Sequence, residues 1–192
     1  MRPSQLFSTA VEQQFNEWLT RFASLEEMFS SRHHLYSKLS RQQLEGIIDE
    51  YVTIIGPVHV GPNSHVRSGA ILEGPLIVGP NSVIGYGVRI LGGSFIGASA
   101  RLNSGAVVSN SLLMNNCLIG ENCVIQNSVL GFGVAAGAGS LIGDVASSSY
   151  AVGTYVGDGS KLGLGSIICS GSIVAQGQIV PAGTVVSTNP NP

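Results

Sequence analysis

The side chains of this sequence that could do chemistry are concentrated where an otherwise regular pattern is interrupted. Asp144, Tyr150 and Tyr155 lie within residues 143–155, and Lys161 follows shortly after. A carboxylate and a phenol can transfer protons, and a lysine can neutralise an anionic group such as a phosphate. We therefore predict ligand contacts here, with Asp144 and Tyr150 as the candidate catalytic residues. A plain solvated surface would also accommodate these side chains, and that alternative stays open.

The histidines and cysteines do not show the spacing of a metal site. His59 and His65 are one six-residue step apart, which places them on neighbouring faces of a repeat rather than together. Cys117 and Cys123 occupy small-residue positions of successive repeats, where a buried thiol acts as a small hydrophobe. We expect no metal, and a metal-dependent hydratase or lyase is only a minor alternative.

A strict internal period sets the elements that must position these side chains. Every sixth residue from Ile54 to Val108 is aliphatic, which gives ten positions in register. A period of six fits neither an isolated helix nor a hairpin meander. It is typical of a parallel β-helix, in which each coil contains three short strands.

Beyond residue 108 the repeat shortens twice and then opens. The steps from 108 to 113 and from 125 to 130 are each one residue short, and residues 143–155 form an insertion. With three repeats in each coil, all three irregularities fall at one corner, where Asn110 and Asn127 are expected to stack. Departures from a scaffold rule tend to mark functional sites. Stacked asparagines at a solenoid corner can also simply satisfy backbone groups, so both interpretations stay open.

Residues 1–48 lack the repeat and are predicted to form helices. Apolar residues recur at spacings of three and four from about residue 9 to 23, and Ser24 with Glu27 forms a capping box for a second helix. Ser40 with Gln43 could open a third. We predict a helical cap on the first coil or a docking element for a partner protein. The β-helix is predicted over 49–188, with a frayed tail at 189–192.

Composition excludes several function classes. Apolar residues make up 44% of the chain and charged residues 10%, well below the usual quarter. The net charge is −2 without a Lys/Arg cluster, so nucleic-acid binding is not expected. No apolar run approaches the ~20 residues of a membrane span, and the N-terminus does not show a signal-peptide pattern. The odd number of cysteines suits a reducing cytoplasm.

The repeats resemble those of the hexapeptide-repeat proteins, which fold as left-handed β-helices. Residues 66–79 (VRSGAILEGPLIVG) are similar to the start of the C-terminal β-helix of sugar-1-phosphate nucleotidylyltransferases, including the bifunctional N-acetylglucosamine-1-phosphate uridylyltransferase/acetyltransferases. Residues 110–116 (NSLLMNN) and 127–130 (NSVL) resemble the Asn-Ser turn of that family. The resemblance implies an all-β fold: a single-stranded left-handed parallel β-helix of about seven coils with a short N-terminal α-helical cap.

The resemblance also implies an activity and an assembly. In that family the β-helix half is an acetyltransferase that works as a homotrimer, with sites in the clefts between subunits. It implies acetyl-CoA or another acyl-CoA as the cofactor and a small-molecule ligand in the cleft. The nucleotidylyltransferase domain has no counterpart in this sequence, so nucleotidyl transfer is not expected.

The family's catalytic residues are only partly matched. The position of its general-base histidine corresponds to Ala138, or to Glu121 if the earlier Asn-Ser turn is aligned. An arginine of the family matches near Arg89, and Lys161 replaces an asparagine that precedes a glycine-rich motif. The motif itself is retained at residues 163–166.

Two functions therefore stay open. The first is a stand-alone acyl- or acetyltransferase-type enzyme that acts on a sugar nucleotide or a small amine or hydroxyl, with a repurposed site between subunits. The second is a non-catalytic scaffold or regulatory homologue of a sugar nucleotidylyltransferase. The expected ligand contacts are Arg89, Asn110, Asn127, Tyr155, Lys161, Gly163, Gly165 and Ser166.

Overall fold

The computed structural model describes Tyr36, Leu39, residues 42–143 and residues 153–187. Over these residues the chain forms 24 strands of two or three residues, and every third strand joins the same parallel sheet. The result is three eight-stranded sheets, which we name A, B and C. The predicted left-handed parallel β-helix is confirmed, with eight coils rather than about seven.

The strands of each sheet follow one another along the solenoid. Sheet A contains β1 (Gln43–Leu44), β4 (Val58–Val60), β7 (Leu76–Val78), β10 (Ser94–Ile96), β13 (Leu112–Leu113), β16 (Ser128–Leu130), β19 (Thr154–Val156) and β22 (Ile173–Val174). Sheet B contains β2 (Ile47–Ile48), β5 (His65–Val66), β8 (Val83–Ile84), β11 (Arg101–Leu102), β14 (Leu118–Ile119), β17 (Ala135–Ala136), β20 (Lys161–Leu162) and β23 (Ile179–Val180). Sheet C contains β3 (Thr53–Ile55), β6 (Ile71–Glu73), β9 (Arg89–Leu91), β12 (Val107–Ser109), β15 (Val124–Gln126), β18 (Leu141–Ile142), β21 (Ile167–Ile168) and β24 (Val185–Val186).

The six-residue period builds the core because each strand points one aliphatic side chain inward. Nine of the ten periodic residues from 54 to 108 are buried, and Ile54 in the first coil is partly buried. Small residues occupy the corners, where hydroxyl groups bond to the next coil. Ser64 Oγ donates to the carbonyl of Gly79 at 2.8 Å, and Ser82 Oγ to that of Gly97 at 2.9 Å. The corners that carry these two serines are thus bonded to the next coil as well as packed.

The solenoid begins earlier than the sequence pattern indicated. Strands β1 and β2 lie within residues 1–48, so the boundary expected at residue 49 is six residues too late, and Gln43 is in a strand instead of a third helix. Leu44 pairs with Val60 and Ile48 with Val66, so contacts with the second coil outweigh local helix signals. The helices predicted from residue 9 onward and the tail at 189–192 lie outside the described residues.

The two described residues of the N-terminal segment pack along the side of the solenoid. Tyr36 and Leu39 are buried against an apolar stripe on the outer face of sheet A, formed by Ile77, Phe95, Leu112, Met114 and Val129. These stripe residues belong to the third to sixth coils. Tyr36 and Leu39 therefore do not cover the first coil, where the cap was expected.

Candidate functional site

The corner between sheets C and A is where the repeat changes its step, as predicted. Strand β12 ends at Ser109 and β13 begins at Leu112, while only Asn127 separates β15 from β16. After β18, residues 144–152 lie outside the described residues, and the chain continues into β19. The candidate catalytic residues Asp144 and Tyr150 fall in that interval, outside the described residues.

The stacked asparagines at this corner have a clear structural role. Asn110 and Asn127 both adopt left-handed backbone conformations, with φ of 48° and 47°, which asparagine tolerates better than most residues. Asn110 Nδ2 donates to Asn127 Oδ1 at 2.5 Å, which confirms the predicted stacking. Ser128 Oγ also donates to the carbonyl of Gln126 at 2.6 Å. The two side-chain amides of the tightened turns thus bind each other, and the serine hydroxyl binds a backbone carbonyl.

Gly143 is the last described residue before residues 144–152, and its amide still donates to the carbonyl of Ile168 in the next coil. Its φ is 87°, and a Cβ at this position would overlap the carbonyl oxygen of Gln126. A glycine is therefore required both by the backbone conformation and by the close approach of the neighbouring coil.

Tyr155 lies on β19 of sheet A. It pairs with Val129 and packs, partly buried, against the apolar stripe of sheet A. Burial, and then the negative charge of Asp158, raise the pKa of the Tyr155 phenol. At neutral pH the hydroxyl therefore stays protonated and can donate a hydrogen bond, but it is a poor base.

The remaining predicted contacts lie on other faces. Arg89 is exposed on the outside of sheet C, and Lys161 is exposed on the outside of sheet B. A single chain therefore does not bring them to the corner that holds Asn127 and Tyr155.

The backbone amides of the glycine-rich turn after Lys161 form hydrogen bonds within the solenoid. The amide groups of Gly163, Gly165 and Ser166 donate to the carbonyls of Val180, Ala138 and Gly163 at 2.8, 2.9 and 3.2 Å. The buried Ser166 hydroxyl lies 3.2 Å from that of Ser140. These groups were expected to contact a ligand, but the hydrogen bonds assign them to the scaffold.

The structure reveals a hydrogen-bonded carboxylate–imidazole pair that the sequence pattern does not indicate. His65 Nε2 lies 2.6 Å from Asp49 Oδ1, and each side chain is 25% exposed. The hydrogen bond from His65 is the main reason why the pKa of Asp49 is lowered, and the charge of Arg67 acts in the same direction. The sequence pattern does not indicate the pair because it predicts helices up to residue 48, so the strand that Asp49 follows is missing from the predicted register.

Arg67 and Tyr51 lie two residues after His65 and Asp49, respectively. The guanidinium carbon of Arg67 lies 5.8 Å from the centre of the Tyr86 ring, within range of a cation–π interaction. Tyr51 is 85% exposed and has a φ of 61°. The same position of the next two coils holds Gly69 and Gly87, which adopt this conformation without steric cost.

Within residues 42–143 and 153–187, and including Tyr36 and Leu39, no group of three or more His, Cys, Asp or Glu side chains could hold a metal ion. No helix among the residues that the structure describes has the length and apolar character needed to cross a bilayer.

Comparisons with known proteins identify the family and the fold. The model of the family described as the GMPPB C-terminal domain matches residues 54–189. No curated protein matches the chain.

One of the solved structures that the chain is similar to shares its fold with a TM-score above 0.5. LpxA, a UDP-N-acetylglucosamine acyltransferase from Bacteroides fragilis 9343, is 17% identical over 65% of this chain and 53% of its own, with a TM-score of 0.55. The chain thus spans about half of LpxA. AntD, an N-acyltransferase from Bacillus cereus solved with dTDP and 3-hydroxybutyryl-CoA, is 22% identical over 63% of this chain and 78% of its own, with a TM-score of 0.49. The acetyltransferase domain of PglB from Neisseria gonorrhoeae FA1090 is 19% identical over 91% and 70% of the two chains, with a TM-score of 0.46.

Proposed function

Because the chain belongs to the family of GMPPB C-terminal domains, we propose that it is a hexapeptide-repeat transferase of the acyl- or acetyltransferase type. The observation that supports this most directly is the family match, which spans 136 residues from 54 to 189, together with the repeat itself. The proposed cofactor is an acyl-CoA. The proposed acceptor is a sugar nucleotide or a small molecule with an amine or hydroxyl group.

The proposed active unit is a homotrimer in the cytoplasm, with the ligand in the cleft between subunits. Arg89, Tyr155 and Lys161 lie on sheets C, A and B of one chain. Side chains on three faces of one prism can approach a common ligand only if neighbouring subunits contribute different faces. The spread of these residues is therefore better explained by a site between subunits than by one within a chain.

The roles of these side chains follow from their charge and exposure. Lys161 can neutralise a phosphate of the cofactor, and Arg89 can bind a second anionic group in two-point contact. Tyr155, which stays protonated, can donate a hydrogen bond. The sequence pattern predicts Asp144 and Tyr150, in the segment before β19, as the residues that transfer the proton.

Ligand binding tests this function directly. We expect acetyl-CoA and 3-hydroxybutyryl-CoA to raise the melting temperature and to give a saturable heat in calorimetry. A ligand at 100 times its Kd stabilises a fold by about 2.7 kcal/mol, which is measurable by thermal shift. Lys161→Gln should weaken this binding, whereas Glu73→Gln, which removes an exposed charge on sheet C, serves as the control. If neither acetyl-CoA nor 3-hydroxybutyryl-CoA binds, the proposal is refuted.

A non-catalytic scaffold is the second candidate. It is favoured by Ala138, which stands where the family's general base is expected. It is also favoured by the backbone amides at residues 163–166, which donate to carbonyls of the solenoid and so are not available to a ligand. In this case the N-terminal segment would dock a protein partner. Purification from the native cell separates the two candidates, since a homotrimer without a stable companion protein contradicts the scaffold.

A further inference from the structure

Asp49 and His65 are held together by the geometry of the first two coils. His65 points outward from sheet B because the next residue, Val66, is fully buried in the core. Asp49 directly follows β2, which pairs with the strand of His65. The carboxylate and the imidazole thus come from adjacent coils and meet at 2.6 Å.

This arrangement gives the imidazole the properties of a general base. The carboxylate can only accept, so the Nε2–H of His65 donates to it, and the lone pair of the neutral ring is on Nδ1. A proton taken up at Nδ1 creates an imidazolium, which the carboxylate stabilises. The lowered pKa of Asp49 is consistent with a carboxylate that remains charged.

The fold itself does not require this pair. In the later coils, the outward position of sheet B that His65 occupies is filled by Val83, Arg101, Leu118, Ala135, Lys161 and Ile179. Each of these strands joins the sheet through the same backbone ladder. The quarter exposure of both partners also leaves the imidazole within reach of a ligand.

The groups beside the pair suit an acceptor that carries an anionic group. Arg67 follows His65 by two residues, and its guanidinium lies over the ring of the half-exposed Tyr86. Tyr51, two residues after Asp49, is exposed and adopts a left-handed backbone conformation, which is costly for a bulky residue. A cation that lies over an aromatic ring can bind a phosphate that is linked to a sugar or a base. The other charged neighbour is Glu50, which is exposed.

The same face of sheet B also offers a path for a long cofactor. Lys161 lies five strand spacings from His65 in the order of this sheet, which is roughly 24 Å along the solenoid at about 4.8 Å per strand. Between them lie Leu118 and Ala135, which are apolar and partly or largely exposed, and the exposed Arg101. Cations separated by apolar surface match the phosphates and the pantetheine arm of an extended acyl-CoA.

We infer that the outer face of sheet B is the acyl-transfer site, with His65 as general base, Asp49 as its positioning residue and Arg67 as the anchor of the acceptor. This inference rests on the proposed acyltransferase function and locates its base. His65 Nδ1 accepts the proton of the acceptor hydroxyl or amine as that oxygen or nitrogen bonds to the thioester carbon. The C–S bond then breaks, and the sulfur of coenzyme A takes the proton from the imidazolium. The products are the acylated acceptor and the free thiol.

Steady-state kinetics of the full chain separate these roles. The probe reaction is thiol release from acetyl-CoA with UDP-N-acetylglucosamine as acceptor. We expect His65→Gln to lower kcat by about 10²–10⁴ with an unchanged KM for acetyl-CoA. Asp49→Asn should lower kcat less, and Arg67→Gln should raise the KM for the acceptor. Glu50→Gln, next to Asp49, is the matched control and should stay within about twofold.

A second readout does not depend on turnover. Diethyl pyrocarbonate modifies accessible neutral imidazoles, and mass spectrometry locates the product. We expect His65 to be modified in the wild type and to be protected by acetyl-CoA, whereas the fully buried His59 stays unmodified in the folded chain. Circular dichroism shows whether each variant is folded.

The outcomes distinguish the two proposals. Wild-type turnover in folded His65→Gln, or acetyl-CoA binding without protection of His65, overturns the inference and leaves the proposed function standing. If the wild type binds acetyl-CoA but releases no thiol, the role of His65 as general base is also refuted. A wild type that neither binds acetyl-CoA nor releases thiol refutes the proposed function, and the inference with it.

Discussion

Two corners of the same solenoid use their side chains in opposite ways. At the corner between sheets C and A the sequence departs from its period, yet Asn110 and Asn127 bond to each other and support tight turns. At the corner between sheets B and C the first two coils keep the period, yet they hold the Asp49–His65 pair and the strained Tyr51. A change in the six-residue step therefore shows where the backbone adopts a different turn, and does not by itself indicate a functional site. The chemistry of a solenoid can lie on a regular face, where spacing places no constraint on the outward side chain.

The largest expected effect concerns the backbone of the irregular corner. We predict that Gly143→Ala destabilises the protein by about 3 kcal/mol or more, because a left-handed conformation adds to an overlap with the carbonyl of Gln126. Urea denaturation measures the free energy of unfolding. Gly87→Ala is the matched control: its φ is 63° but its Cβ would meet nothing within 4 Å, so it should cost only about 1–2 kcal/mol. Equal costs would show that the close approach at this corner does not matter.

The asparagine pair is predicted to matter for stability and little for activity. Replacing Asn110 and Asn127 by glycine keeps the left-handed turns but removes the side-chain hydrogen bond, which is worth about 1 kcal/mol. The exposed Asn116, with a φ of 64°, is the control, and Asn116→Gly should be nearly neutral. Both unfolding free energies and thiol release should be measured. A double variant that is stable but inactive would move the site back to the irregular corner.

Tyr51 offers a test in which stability and binding change in opposite directions. We expect Tyr51→Gly to keep or raise the free energy of unfolding, by up to about 1 kcal/mol, because glycine adopts the left-handed conformation without steric cost. The same variant should raise the KM for the acceptor, since it removes an exposed ring. Tyr51→Ala separates the two effects because it loses the ring but retains the strain. An unchanged KM in both variants would exclude Tyr51 from the site.

The smallest expected effect is the pH dependence that Asp49 adds to stability. Its pKa in the folded chain lies below the ordinary value of 3.8. The pairing of Asp49 with His65 therefore contributes stability that is fully present above that value and is lost as the pH falls through the lower, folded pKa. Urea midpoints of the wild type and Asp49→Asn should differ at pH 5 and converge only when the pH has fallen below the folded pKa of Asp49. A difference that persists unchanged into strong acid would contradict a charged carboxylate as its cause.

The sequence predicts the fold well because an inward aliphatic residue at every sixth position leaves one architecture that buries them all. It also placed Asn110 above Asn127, since the register follows from counting. It missed the first coil, although Ile48 stands six residues before Ile54, because Ser40 with Gln43 suggested a helix start. The outward residues carry no periodic signal. The contact between Asp49 and His65 therefore follows only from the pairing of β2 with β5 in the structure, and not from the sequence pattern.

The comparison of the two corners is tested most directly by thiol release from acetyl-CoA in two folded variants. His65→Gln removes the proposed base of the regular face, and Asp144→Asn removes the carboxylate that the irregular stretch suggests. We predict that His65→Gln loses at least about 100-fold in kcat, whereas Asp144→Asn changes it by less than about tenfold. Loss of turnover in Asp144→Asn with normal turnover in His65→Gln would contradict the account.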